Sequence, residues 1–398
     1  MTMHRLGTFE GLTLEVHRSI TAIPPLVWDD LIGDDQPLVS HAHLSALERS
    51  GLTLPDHGIQ ARYILAHSAD GEPRAGVPAF LKSNSSGELG VDLGLPMAHE
   101  RMSGPYYPKL QVEVPFSLIP GPRLLVAGAK DPQVARTALL SGLQVLAETE
   151  GAQSIHISYM QDADRHAAEA AGYLIAETTN FLWRNARDDD FESWVAGMHK
   201  KARKRVRDEY YAHLDAGIEF RVTKGEALSD TGGDVTFRRY CATYQTHGTD
   251  IWLNKRYFNE VSQTMGDQIE LHEAYEGEAW LGGFYCWTFG DRLCAVHWLA
   301  EEARRNLTFG AIYSTIADAT SRGIKTIDFG PLSPHKVYRG VAPEAVPHAM
   351  HFLNADFHAL ADTVLAKRND VARNDRAELE KRLPFQTSLT KGEIDERQ

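Results

Sequence analysis

The chain has 398 residues, 43% hydrophobic and 24% charged, which is enough for two domains with ordinary cores. Its net charge of −13 argues against nucleic-acid or anionic-membrane binding unless basic groups gather in one place. Three scattered cysteines, Cys241, Cys286 and Cys294, give neither a disulfide framework nor a zinc spacing; no metal is expected, and a reducing, cytoplasmic setting fits. The N-terminal "MTMHRLGTFEGL" lacks an apolar signal core, and no apolar run reaches the length of a membrane span.

In chain order, Ser40 caps a first helix on "HAHLSALERSG", with Leu44 and Leu47 at helical spacing and Gly51 as the stop. Tyr63–His67, the turn "ADGEP" and a return from Gly76 to Lys82 read as a hairpin. "QVEVPFS" is a further strand. A helix beginning at Pro132 and stopped by Gly151 leads to the strand "AQSIHISYM". "FESWVAGMHKKARKRVRDEYYAHLDAG" reads as one helix ending at Gly217. Phe191, Trp194, Val195, Met198, Ala202, Val206 and Tyr210 line one of its faces. The order of the first half then recurs. Three strands span "IELHEAYEGEAWLGGFYCWTFGDRLCAVHWLA", a helix ends at Gly323, and "IKTIDFG" is a strand. The repeat is one of pattern rather than of letters, and it predicts two similar α/β domains in tandem: 1–180, 181–370 and a helical or disordered tail, 371–398.

Chemistry-bearing residues cluster in three places. "HWLAEEARRNLTFGAIYS" runs from a strand through Arg304, Arg305 and Asn306 to a helix starting near Thr308, an end whose unpaired amides suit a phosphate. Arg305, Thr308 and Gly310 fall at the spacing of a degenerate Arg-x-x-Gly-x-Gly loop, although solvated arginines before an ordinary helix have the same letters. "FGPLSPHKVYRG" follows a strand end, where ligands of α/β sheets bind. There Asp328 and His335 can accept a proton, Tyr338 can give one to a leaving group, and Lys336 and Arg339 can hold phosphate or carboxylate. His297 shares a strand face with Ala295 and Leu299, as a base or as a satisfied core histidine. In "GPYYPKLQVEVPFS", Tyr106, Tyr107 and Lys109 sit between prolines; with Trp252 and Trp298 they are candidates for a substrate wall, or for packing. Lys200, Lys201, Arg203, Lys204, Arg205 and Arg207 form a basic stripe. It suits a solvated face, a polyanion such as tRNA, or an acidic carrier protein. No GxSxG, HExxH or strand-following GxGxxG motif is present.

Over residues 36–355 the chain resembles the FemAB-like family of N-acyltransferases, related to the Gcn5 superfamily and the Fem peptidyltransferases. The resemblance is carried by "YYPKLQVEVPF", "NFLWRN" with "HKKARKRVRDE", and "HKVYRG". It implies a tandem pair of Gcn5-related N-acyltransferase-like domains, each a mixed twisted sheet flanked by helices. The implied activity is acyl transfer to a small-molecule amine. The donor would be a thioester on coenzyme A or on the phosphopantetheine of a carrier protein, with no tightly bound cofactor, or else an aminoacyl-tRNA as in Fem relatives. A non-catalytic relative that binds a carrier or polyanion is the remaining alternative. His335, Lys336, Arg339 and Gly340 match the family's "HK..RG" pattern. Two departures remove a carboxylate: Pro334 stands where relatives carry the glutamate of "GEHK", and Thr308-Phe309-Gly310 replaces "HFE". These losses favour a specialised member with a pantetheine donor; the expected donor site is Arg304, Arg305, Asn306, Thr308, Phe309 and Gly310, with Lys336 and Arg339 on the donor arm or on an acidic acceptor. His297, Asp328, His335 and Tyr338 would carry the proton transfers.

Overall fold

The computed structural model describes residues 4–385 apart from 34–35, 89–91, 93, 186–188, 230–231, 247, 303 and 332–333. The expected frayed end, "QTSLTKGEIDERQ", lies outside the described residues. The chain divides into two compact units. Unit 1 contains 1–178, 252–260 and 346–372; unit 2 contains 179–251, 261–345 and 373–398. Two contiguous domains split at 180/181 were expected, but the structure returns a short internal segment and a late strand-plus-helix segment to unit 1.

In unit 1 the strands are β1 (His4–Phe9), β2 (Leu12–His17), β3 (Ile59–Ala61), β4 (Tyr63–His67), β5 (Pro73–Val77), β6 (Ala79–Lys82), β7 (Lys109–Val112) and β8 (Ser154–Ile157). β9 (Leu174–Arg184) runs from unit 1 into unit 2. Unit 2 continues with β10 (Ile218–Lys224), β11 (Ile269–Glu276), β12 (Ala279–Phe289), β13 (Arg292–Leu299) and β14 (Thr326–Asp328). β15 (Ala342–Phe352) begins in unit 2 and ends in unit 1.

The predicted hairpin is only half of what forms. β4 pairs with β5, but the return strand breaks at Pro78, and β6 joins β3 and β7 instead. A proline has no N–H to donate to a ladder, so a strand passing through it can change sheets there. β1, β2, β4 and β5 form one antiparallel sheet. The other sheet of unit 1 runs β3-β6-β7-β8 and is completed by Ala349–Phe352 of β15 against β8. β7 and β8 are parallel, so a crossover must join them, and the helix Pro132–Thr149 supplies it. Asp131 caps that helix, its side chain accepting from the Gln133 and Val134 amides, and Pro132 takes N1, where its missing N–H costs nothing. Leu139, Leu143 and Leu146 of its inner face join Leu110, Val112, Ile155 and Ile157 in the core of unit 1. Each such side chain contributes about 1.5–3 kcal/mol on burial.

Unit 2 repeats the plan. β10, β11, β12 and β13 are antiparallel neighbours, and the helix Leu307–Ser321 carries the chain to β14, parallel to β13. Residues Leu182–Arg184 of β9 pair antiparallel with β14. Ile312, Ile316 and Ala319 pack with Trp183, Leu293 and Ile327 in its core.

The long basic helix is not continuous. Phe191–Ala196 stops at Gly197, and His199 caps a new helix, Lys200–Val206, by accepting from the Ala202 amide. A π-helical turn, Arg207–Tyr211, follows before Ala212–Asp215 and the left-handed Gly217. The C-terminal helix spans Ala355–Glu380. Among the described residues no helix is long and apolar enough to cross a membrane.

Candidate functional site

At the exit of β14 the polar atoms are largely used inside unit 2. Asp328 is buried; it accepts from Asn180 Nδ2 at 3.2 and 3.0 Å and from the Gly330 amide at 2.7 Å. Burial raises its pKa above the usual carboxylate value. Lys336 is buried against the rings of Phe181 and Phe329 and donates to the Phe329 carbonyl; burial brings its pKa down to about 8. Arg339 forms a bidentate pair with Glu209, Nε to Oε2 at 2.8 Å and Nη2 to Oε1 at 2.7 Å, and Nη1 donates to the His335 carbonyl. Glu209 reaches it from the π-helical turn. Asp328, Lys336 and Arg339, read from the sequence as groups that touch ligand, therefore hold the turn that follows β14.

What that turn presents is His335. Its ring is exposed and stands edge-on to Phe309, with centroids 5.0 Å apart, while the Arg339 guanidinium lies 3.4 Å from the Phe309 centroid on the buried side. Partial burial, Arg339 and Lys336 all lower the His335 pKa, so the ring is neutral at pH 7. Phe309 lies in the first turn of Leu307–Ser321, so His335 stands against the N-terminal turn that also carries Thr308. Asn306 begins this helix in the left-handed region, φ 60°, and its carbonyl accepts from the Phe309 and Gly310 amides. These bonds leave fewer amides for a phosphate than the sequence suggested. Gly310 has a different task from the one expected. A Cβ there would lie 2.8 Å from both the Glu209 carbonyl oxygen and the His213 ring, so the glycine lets two helices touch. Arg305 is exposed, and Arg304 pairs with Glu276 at 3.0 Å on the surface.

Among the described residues β13 and β14 pair only from Arg292–Thr326 to Cys294–Asp328, whereas β13 runs on to Leu299. The strand edge beyond Cys294 is thus released on the β14 side. On its other side the register slips between Tyr285 and Cys286, which face His297 and Ala295, so Val296 is the extra residue of a bulge. Bulges re-aim side chains and leave a residue out of the ladder. His297 Nδ1 lies 3.0 Å from the Tyr244 hydroxyl, and burial lowers the ring to about 4, so it too is neutral. Trp298 packs edge-on against Phe284 at 4.9 Å over Gly282; its indole is a packing group rather than an exposed wall.

In the basic stripe, Arg203 donates to the Met198 carbonyl, and Arg205 donates to the Tyr338 carbonyl at 2.8 Å with its guanidinium over the Tyr338 ring. Lys200, Lys201, Lys204 and Arg207 are exposed.

Unit 1 holds a second polar centre, only part of which was visible in the sequence. Every residue of β7 is buried. Leu110 and Val112 face the apolar core, while Lys109, Gln111 and, just beyond, Glu113 occupy the opposite face. Lys82 of β6 is the cross-strand neighbour of Lys109, and His156 of β8 that of Gln111. Lys109 Nζ donates to Glu88 at 2.8 Å and Asp92 at 2.9 Å; the Tyr106 hydroxyl donates to Asp92 at 2.5 Å and that of Tyr107 to Glu88 at 3.1 Å. Burial would raise Asp92, but Lys109 and His156 hold it far below the usual range. Trp252 sits in this unit against Phe116, ring centroids 6.4 Å apart. The structure thus joins Tyr106, Tyr107 and Lys109, and adds Lys82, Glu88, Asp92, Glu113 and His156, which the sequence reading missed. The one available signal was the alternation Lys109-Gln111-Glu113, which looks the same whether its polar face meets water or protein.

Glu270, His272 and Asp318 are a grouping with metal-ligand chemistry in unit 2. Arg322 already occupies it, donating to Glu270 and Asp318 at 2.7 and 2.8 Å. Burial opposes ionisation of Glu270, but the bonds from His272 and Arg322 hold it at about 2. The donor set is closed by an arginine and does not fit a cation.

The sequence pattern of the FemAB-like family, described as peptidoglycan biosynthesis/recognition, matches residues 19–387. The chain belongs to the FemAB-like family. No curated protein matches the sequence. Among solved structures the FemAB-like chain is similar to FemX, with a TM-score of 0.52 at 13% identity over 87% of this chain and 99% of that one. It is also similar to the C-terminal domain of a putative lysylphosphatidylglycerol synthetase from Agrobacterium fabrum, with a TM-score of 0.51 at 10% identity over 85% and 94%. At such identities the likeness is one of fold. Family and fold together support an acyltransferase of the Fem type.

Proposed function

We propose that this FemAB-like chain is an amide-forming N-acyltransferase that moves an acyl group from a pantetheine thioester to the amine of a small molecule. The observation that carries the reading is the released edge of β13 beyond Cys294, with its bulge at Val296. Backbone N–H groups freed from a ladder are fixed donors for the oxygen of a tetrahedral intermediate. The amine nitrogen attacks the thioester carbonyl, its proton passes to neutral His335, and the C–S bond breaks to release the thiol, which is protonated from Tyr338. His297, tied to Tyr244, orients the reacting groups as a neutral donor or acceptor. Arg305 and Thr308, at the start of Leu307–Ser321, hold the donor's phosphate, and Arg304 lies on its approach.

Exposed Lys200, Lys201, Lys204 and Arg207 favour a donor carried on an acidic carrier protein. The same basic run supports a second reading, an aminoacyl-tRNA donor, which ribonuclease would abolish. The test is acyl transfer with purified carrier-bound, coenzyme A and aminoacyl-tRNA donors. Arg305→Ala should raise donor KM, and His335→Ala should lower kcat by about 10²–10⁴-fold, as for loss of a general base. Wild-type rates for both variants with every active donor would sink the assignment.

A further inference from the structure

We propose that unit 1 binds the protonated nitrogen of a small amine at Glu113 and Glu88, two carboxylates whose buried Oε1 atoms have no hydrogen-bond donor among the described residues. This site lies wholly within unit 1 and takes no part in the proton transfers assigned to His335 and Tyr338 of unit 2.

The argument begins with unsatisfied acceptors. Native interiors pair nearly all of their buried polar atoms, so each exception calls for an explanation. Glu113 is 6% exposed and its Oε1 has no partner. Glu88 Oε1 is also without one, Lys82 Nζ lying 3.7 Å away, beyond hydrogen-bond reach. Glu88 Oε2, by contrast, is fully engaged with Lys109 and Tyr107. Two acceptors lacking donors call for a ligand rich in N–H groups, and an ammonium carries three.

The charges around Glu113 are fixed by other partners. Lys82 donates to the Ser86 carbonyl, Lys109 is clamped by Glu88 and Asp92, and Arg123 donates to the carbonyls of Ser158 and Ile119. These cations and Glu88, with Tyr159 beyond Arg123, are the ionisable groups that act on Glu113. None donates a hydrogen bond to it. Burial lifts the Glu113 carboxyl to about 7, so it is half-ionised near pH 7. An arriving ammonium would select the ionised form and expel the proton. The Tyr107 hydroxyl donates to Glu88, a Cβ at Gly87 would lie 2.6 Å from the Phe116 ring, and Phe116 packs with Trp252, so half-buried rings adjoin this segment and suit the carbon chain of an amine.

The experiment titrates 1,5-diaminopentane into the full chain by calorimetry, without donor, from pH 5.5 to 8.5 in two buffers of different ionisation enthalpy. Below pH 7 the association constant should rise about tenfold per pH unit, with close to one proton released, and above pH 7 it should level off. 1,5-Pentanediol should not bind. Glu113→Gln should flatten the profile and weaken binding at pH 8 by tenfold or more. If that variant does not fold, proton release by the wild type decides. Absent binding, pH-independent binding, equal binding of the diol, or an unchanged Glu113→Gln variant would overturn the proposal. Such a failure with transfer activity intact removes only the amine site. Diamine binding with no transfer from any donor removes the N-acyltransferase reading instead.

Discussion

Replacing Arg339 by methionine separates a structural arginine from a ligand-binding one. Arg339 and Glu209 are 5% and 8% exposed, and two bonds of 2.8 and 2.7 Å join them. Removing the guanidinium leaves Glu209 as an uncompensated buried carboxylate, which costs about 3–5 kcal/mol. Loss of the contact with Phe309 adds to this, by up to about 2 kcal/mol for a desolvated cation–π pair. The surface pair Arg304–Glu276, at 44% and 55% side-chain exposure, is the internal control; its loss should cost about 0–1 kcal/mol. Urea unfolding followed by tryptophan fluorescence, with Trp183 and Trp194 reporting on unit 2, measures both. The double variant Glu209→Gln/Arg339→Met should recover part of the loss, because no charge then remains buried. An Arg339→Met protein within about 1 kcal/mol of wild type, with a raised donor KM, would refute the reasoning and return Arg339 to the donor.

Gly310→Ala places a methyl group 2.8 Å from the Glu209 carbonyl oxygen and should destabilise unit 2 by about 1–3 kcal/mol in the same unfolding assay. His43 and His297 are lowered to about 4 and His156 and His348 to about 3, all chiefly by burial. Each stays neutral when folded but binds a proton in the unfolded chain below its ordinary pKa of about 6.5. Their contribution is therefore complete above pH 6.5 and falls towards pH 4 by about 1.4 kcal/mol per pH unit for each histidine. His43→Gln should make the measured slope shallower by one proton. Reversing Lys200, Lys201 and Lys204 to glutamate should weaken turnover of a carrier-bound donor at low salt, less so in 0.5 M salt, where screening is nearly complete at about 4–5 Å. The same variant should turn over coenzyme A thioesters unchanged.

Local chemistry made much of the fold readable. Ser40 accepts from the His43 amide as a cap should, Pro132 opens its helix, and left-handed Gly151 and Gly323 close two others. The tandem strand–helix–strand pattern was legible because each crossover needs a periodic apolar helix between two buried strands. Long-range facts were not. Nothing near Lys109 says that its strand face is covered by protein, and nothing near Arg339 says that a carboxylate 130 residues away, Glu209, is waiting for it. The break at Pro78 was local and could have been read from the missing N–H. The π-helical turn that brings Glu209 inward has no signature in "RVRDEYY".

The late return of Ala349–Phe352 to β8 has a consequence for synthesis. Unit 1 is translated first yet cannot be completed until β15 emerges, after most of unit 2 has been made. At about 5–20 residues per second, the ribosome needs roughly 10–40 s to travel from Ile157 to Ala349. Through that interval the nascent sheet ends at an unpaired β8, an open edge beside its own apolar core, the kind of surface that recruits chaperones or aggregates. A transcript cut short before β15 would release an unfinished first unit rather than a smaller working one.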